Sequence, residues 1–175
     1  MKRPEAAEYA EFYAGYIAKV SGTDFLSVLD SERQKMLQLF SGRTERDGNF
    51  RYAPGKWTVK EVLGHIIDTE RVFTYRALRI GRGDQTPLPG FEQDDFVKNG
   101  SFASRTLANL GEEFTAVRSA SLALFRSFDE EAWSRRGTAS QKEVTVRALG
   151  FITAGHQIHH RMILEENYFP AIPRA

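Results

Sequence analysis

The sequence contains no cysteine. No disulfide can form, and no thiolate of the chain's own can serve as nucleophile or metal ligand. Formal net charge is only +1, so no global field draws the chain to nucleic acid or to a membrane surface. No apolar run approaches the roughly 20 residues of a spanning helix. The opening "MKRPEAAEYAEF" lacks the apolar core of a signal peptide. A cytoplasmic protein is therefore the default expectation. Strand signals are sparse, with no clear alternating run and no Asn-Gly hairpin. Familiar catalytic signatures are missing too. Position 157 is Gln, which removes the glutamate base of an HExxH protease. No GxSxG nucleophile turn occurs. "GRGD" follows a helical pattern rather than a strand, so it does not read as a phosphate loop.

What remains is helical. The 175 residues suggest one domain, 1–175, large enough for a real core. Four segments carry helical periodicity: about Asp24 to Phe40, Thr58 to Ile80, Ser104 to Phe128, and Gln141 to Tyr168. Thr58 with Glu61 forms a capping box, and Ser140 with Glu143 offers a second. Four amphipathic helices without a sheet predict an all-α four-helix bundle. Residues 1–22 form an aromatic-rich extension, expected as a short helix packed outside the bundle. The connection 82–100 is long for a bundle. It serves either a functional loop or a crossover that reverses helix direction.

The chain has only four histidines, and three of them fall within "GHQIHH", Gly155 to His160. His156 and His160 lie about 40° apart on a helix. Leu149, Ile152, Thr153, Ile163 and Leu164 fall within about 80° of His156, so both histidines face the core. His159 lies about 60° to the other side, at the edge of the stripe. Arg161 and Glu165 point away. Two core imidazoles need partners for their donors and acceptors. Backbone carbonyls can satisfy them, or a metal can, since neutral imidazole is a common ligand and one helix can present two. His65 sits at the margin of the second helix's apolar stripe, about 100° from Ile66. Glu61 and Asp68 lie beyond it, and Asp68 could bond its second ring nitrogen. Three histidines converging from two helices would leave a metal position open, as catalytic sites do.

The run from Arg51 to Val97, including "WTVKEVLGHIIDTE", together with "HQIHHRMILEENY", resembles the DinB superfamily. The resemblance spans Asp24 to Tyr168. It implies a four-helix bundle, often a homodimer, holding one divalent metal, zinc or nickel, on His65, His156 and His160. His159 corresponds to an accompanying histidine that is not usually a ligand. Members of this superfamily include transferases and isomerases dependent on bacillithiol, mycothiol or glutathione, alongside metal-dependent hydrolases and damage-inducible proteins.

Three functions follow as expectations. A thiol S-transferase would activate an imported low-molecular-weight thiol on the metal, which suits a chain without cysteine. Arg71, Arg76, Arg79 or Arg82 could then hold a carboxylate, though arginines near a helix C-terminus also serve the helix dipole. A hydrolase would activate water, with Asp68, Glu61 or an acid of "FEQDD" as base. A stress-related metal-binding module would carry out no reaction.

Overall fold

The computed structural model describes residues 2–172. Two 3₁₀ turns, Ala6–Glu8 and Glu11–Tyr13, lead into α1, Ala14–Lys19. Helix α2, Phe25–Phe40, starts where the Asp24 carboxylate accepts from the Ser27 amide. A single turn, α3 (Glu45–Gly48), precedes α4, Val59–Gly81. The Thr58–Glu61 capping box forms in both directions at the start of α4. Helix α5, Gln93–Asn99, lies within the long connection. Helix α6, Leu107–Arg126, begins three residues later than the periodicity suggests, because the Thr106 hydroxyl caps it. A short α7, Glu130–Ser134, follows.

The largest departure from expectation comes next. Residues 136–145 form a β-hairpin, β1 (Arg136–Ala139) and β2 (Lys142–Thr145), instead of the first turn of the fourth helix. Ser140 and Gln141 both take positive φ, 51° and 63°, and make a two-residue turn without glycine or asparagine. The expected Ser140–Glu143 cap therefore does not form. Thr145 is the cap instead: its hydroxyl accepts from the Ala148 amide, and α8 runs Val146–Ile163. A π-helical turn, Leu164–Tyr168, extends it.

The four long helices α2, α4, α6 and α8 form the bundle. Around it, α2 packs on α6 and α8, and α4 packs on the same two. Two apolar clusters fill the two ends. One takes Phe25 and Leu29 of α2, Phe73 to Ile80 of α4, Leu122 and Phe125 of α6, and the first half of α8. The other takes Met36, Val59 to Ile67, Leu107 to Phe114, and Leu164. Hence α4 and α6 run parallel to each other, and α2 and α8 run the opposite way. A chain leaving α4 must return along its 23 residues, about 34 Å, before α6 can start. That return is what residues 82–100 do. The connection is pinned to the hairpin, since the Leu88 amide donates to the Thr138 carbonyl and the Ser140 amide to the Leu88 carbonyl.

Between the apolar clusters lies a polar layer. Arg118, fully buried, donates from Nε and Nη2 to the two carboxylate oxygens of Glu70 at 2.8 and 2.6 Å. Nη1 of Arg118 donates to the Leu29 carbonyl at 2.6 Å. The N-terminal arm lies along α8. Glu8 is buried against Arg147 and Thr145, and a Cβ on Gly155 would come within 2.0 Å of the Tyr16 carbonyl oxygen. Among the described residues no helix is long and apolar enough to cross a membrane.

Candidate metal centre

Helices α4 and α8 pack side by side and bring three imidazoles together in the polar layer. Nε2 of His65 lies 3.0 Å from Nε2 of His156, and Nε2 of His160 lies 3.1 Å from that same atom. One ligand atom from each ring falls within 4.8 Å of the others. His65 and His156 are buried, and His160 is partly so. The ring of Trp57 packs 4.8 Å from that of His65, and the rings of Tyr16 and Phe73 pack 5.4 and 5.8 Å from that of His156.

Burial sets the protonation state. It brings the His65 imidazole down to about 4 and that of His160 down to about 2, and it holds His156 well below the ordinary histidine value. Neighbouring histidines push the same way. Three neutral rings therefore meet at their Nε2 atoms. As a hydrogen-bonded cluster this is poorly matched, because two contacts converge on Nε2 of His156, and a ring nitrogen is either one donor or one acceptor. A cation accepts all three lone pairs at once. Nitrogens bound to one ion at about 2.0–2.1 Å stand roughly 3.0–3.4 Å from each other. The donor set and its spacing thus fit a transition metal.

His159 stands aside from this cluster. It is half-buried, its ring 5.0 Å from that of His160 and 5.3 Å from that of Tyr16, with its imidazole lowered by burial and by Lys19. Neither expected carboxylate contacts His65. Glu61 is engaged at the Thr58 amide, and Asp68 pairs with Arg71 at 3.4 Å. Burial nonetheless raises the Asp68 carboxyl above its usual range. A hydroxyl takes the place expected for Asp68: Thr69 Oγ1 is 3.3 Å from Nδ1 of His65. Thr69 is one turn beyond His65, so the i+4 rule could have singled it out.

Two cavities reach the cluster. One, about 370 Å³, is lined by His65, His156, Thr69, Phe73, Arg76 and Tyr16 among others. The other, about 250 Å³, is lined by His160, Trp57, Tyr52, Tyr168, Lys56 and Asp94 among others.

Fold and site together define a helical-bundle protein with a buried three-imidazole centre. The sequence profile of the DinB superfamily matches residues 29–164, and the chain belongs to that superfamily. No curated protein matches it significantly in sequence. Among solved structures, the chain is similar to YfiT from Bacillus subtilis, described as a probable metal-dependent hydrolase with an unusual four-helix bundle topology. That match has a TM-score of 0.74 and 17% identity, and covers 94% of this chain and 90% of YfiT. It is also similar to a mycothiol-dependent maleylpyruvate isomerase, with a TM-score of 0.67 and 13% identity over 83% of this chain. A histidine-to-alanine variant of that isomerase gives a TM-score of 0.66 at 12% identity. The chain spans 61% of the isomerase's length. At these identities the likeness is one of fold.

Proposed function

We propose that the chain is a metal-dependent enzyme of the S-transferase type, in which an externally supplied low-molecular-weight thiol attacks a carbon electrophile. His65, His156 and His160 are the proposed ligands of one divalent ion, zinc or nickel, both of which suit nitrogen donors. One observation carries this assignment: two cavities meet at the same buried imidazole cluster, one ending on His65 and His156 and the other on His160. Two approaches suit two co-substrates. A mycothiol-dependent isomerase among the structural neighbours points to a thiol as one of them.

A bound divalent ion supplies Lewis acidity that favours a thiol's thiolate form. The chain's own residues prepare the site for it. Burial keeps the three rings neutral, so their Nε2 lone pairs are available. Thr69 orients His65 through Nδ1, and the rings of Trp57, Tyr16 and Phe73 limit water around the cluster. In the transfer, the thiol proton goes to solvent, a sulfur–carbon bond forms, and the electrophile's leaving group departs with its electron pair.

Hydrolysis is the second reading, favoured by two acids of "FEQDD". Glu92 lines the first cavity and Asp94 the second, where either could take a proton from water. Description of YfiT as a probable metal-dependent hydrolase points the same way.

Metal analysis of purified protein beside His65→Ala and His156→Ala tests the centre. Wild type is expected near one equivalent and the variants near none; equal trace metal in all three overturns it. Metal-dependent conjugation of bacillithiol, mycothiol or glutathione to monochlorobimane supports transfer. Thiol-independent ester or amide hydrolysis, lost on chelation, favours the second reading. A tightly held metal with neither activity leaves a non-catalytic stress-related module. Light scattering tests the homodimer proposed with this family.

A further inference from the structure

Four arginines lie on the second half of α4 or just after it; two pair with carboxylates and a third, Arg82, is exposed to solvent. Arg71 pairs with Asp68 and Glu113, and Arg79 pairs with Asp84. Arg82 donates to the Ser127 hydroxyl and covers the ring of Phe128. Arg76 differs. It is only 3% exposed. Its Nη2 donates to two neutral acceptors, the Pro89 carbonyl at 2.8 Å and the Ser140 hydroxyl at 2.9 Å. Among the described residues, its Nε and Nη1 donate to no protein acceptor and no carboxylate lies within ion-pair distance. Arg76 lines the cavity that ends on His65 and His156, where it is the one Arg or Lys.

A buried guanidinium without a counter-charge is costly. Arg118, equally buried, has the carboxylate of Glu70. Arg76 has an open cavity. The side chain is nevertheless held in place from two directions. Pro89 belongs to the long connection and Ser140 to the hairpin turn, and the Leu88–Ser140 backbone bond fastens the one to the other.

We infer that Arg76 receives the carboxylate of a substrate, and that this cavity takes an organic acid with an apolar, aromatic-sized body. Phe12, Tyr13, Tyr16, Phe73 and Phe91 also line this cavity. His65, Thr69, Phe73 and Arg76 follow one face of α4 at spacings of four, four and three. From His65 to Arg76 the helix rises about 16 Å. The acid group therefore sits at the far end of an elongated molecule whose other end reaches the histidines. Arg76 is the one cation lining this cavity, and the exposed Glu92 also lines it without pairing with Arg76, so the site suits at most a single added negative charge, a carboxylate rather than a phosphate dianion. In the proposed transfer this molecule is the electrophile, and that role rests on the proposed function; binding of the acid does not.

Isothermal titration with 4-phenylbutyrate, 4-phenylbutyramide and phenyl phosphate tests the inference, on protein as purified and with zinc added. The acid is expected to saturate one site, with the amide roughly tenfold weaker or more, as loss of a charge-assisted hydrogen bond implies. Arg76→Gln should bring the acid to the amide's level, and Arg76→Lys should keep part of the preference, which also serves should the Gln variant misfold. Arg79→Gln should leave the preference unchanged. No saturation by the acid, equal binding of acid and amide, preference surviving in Arg76→Gln, or tighter binding of phenyl phosphate each overturns it. The readout is binding alone. A protein that holds no metal or turns over no thiol overturns the proposed function and leaves this result standing.

Discussion

Thr69 Oγ1 lies 3.3 Å from Nδ1 of His65, while Nε2 of the same ring lies 3.0 Å from Nε2 of His156. The two nitrogens of His65 thus have separate tasks, one orienting the ring and one facing the cluster. A partner on the outward nitrogen fixes the tautomer and ring angle of a ligand, and its loss commonly weakens metal binding 10–100-fold or so. The long contact places Thr69 at the lower end. Thr69→Val keeps the shape and removes the hydroxyl, and is expected to weaken metal affinity about tenfold in competition with a chromophoric chelator. Unchanged affinity would show that packing alone orients His65.

His159 and His160 are sequence neighbours with different surroundings. His160 contributes Nε2 to the cluster, whereas His159 packs half-buried beside Tyr16. Metal content by mass spectrometry should fall to a trace in His160→Ala and stay near wild type in His159→Ala. Equal losses in both variants would contradict the assignment of ligands.

Arg118 and Glu70 form a pair with side chains 0% and 3% exposed. Removing one partner leaves a buried charge without compensation, which typically costs roughly 3–5 kcal/mol. Arg118→Met should lose about that much in urea unfolding, again by the same principle. Replacing both residues by methionine should recover most of it, because the orphaned carboxylate is then gone. Additive losses in the double variant would refute this account of the polar layer.

Glu8 joins the N-terminal arm to the start of α8. Burial pushes its carboxyl up, but the Arg147 guanidinium, the Glu5 amide and the Thr145 hydroxyl together outweigh burial and hold it below its ordinary 4.5. A carboxyl lowered by folding stabilises the fold fully above its unfolded pKa, and that stabilisation fades as pH falls through the lower folded value. Stability should therefore decline below about pH 4.5. Glu8→Gln should be less stable at neutral pH by roughly 1.5–3 kcal/mol, the worth of hydrogen bonds to a charged group, with a shallower acid limb in pH-dependent melting. An acid limb as steep as wild type's would assign the acid sensitivity to other carboxylates.

Much of this was legible in the sequence, for physical reasons that also mark where it was not. Helix spacing alone turned His156 and His160 inward, and Thr58 with Glu61 marked the start of α4. The hairpin was hidden because Ser140 and Gln141 take left-handed backbone without the residues that normally announce it. β-Branched Thr138, Val144 and Thr145 were the available signal. That Arg76 is buried without a carboxylate depends on contacts across the bundle that no local pattern carries, whereas the Thr69 hydroxyl beside His65 was within reach of the i+4 rule. Asp68 was the reasonable choice beside His65, but Arg71 and the Thr69 hydroxyl decide otherwise.

Tyr16 and Gly155 bring the arm onto the site, and their contact can be tested with one methyl group. A Cβ at position 155 would stand 2.0 Å from the Tyr16 carbonyl oxygen and 2.4 Å from its carbon. Both are backbone atoms, so no rotamer relieves the clash and α1 must move. Two effects oppose each other in Gly155→Ala. Alanine favours the helix by about 1 kcal/mol over glycine, while overpacking costs about 1–3 kcal/mol. The short distance to backbone puts the cost at the upper end, so net destabilisation of about 1–2 kcal/mol is expected. Tyr16 also walls the first cavity and packs on His156, so a displaced α1 should expose that cavity. Amides of Ala14–Lys19 should exchange with solvent faster than in wild type, whereas metal content should hold because α8 positions His156 and His160 from within the bundle. A higher melting temperature with unchanged exchange in α1 would mean that helix propensity wins, and that the arm adapts to the added methyl group without leaving the bundle.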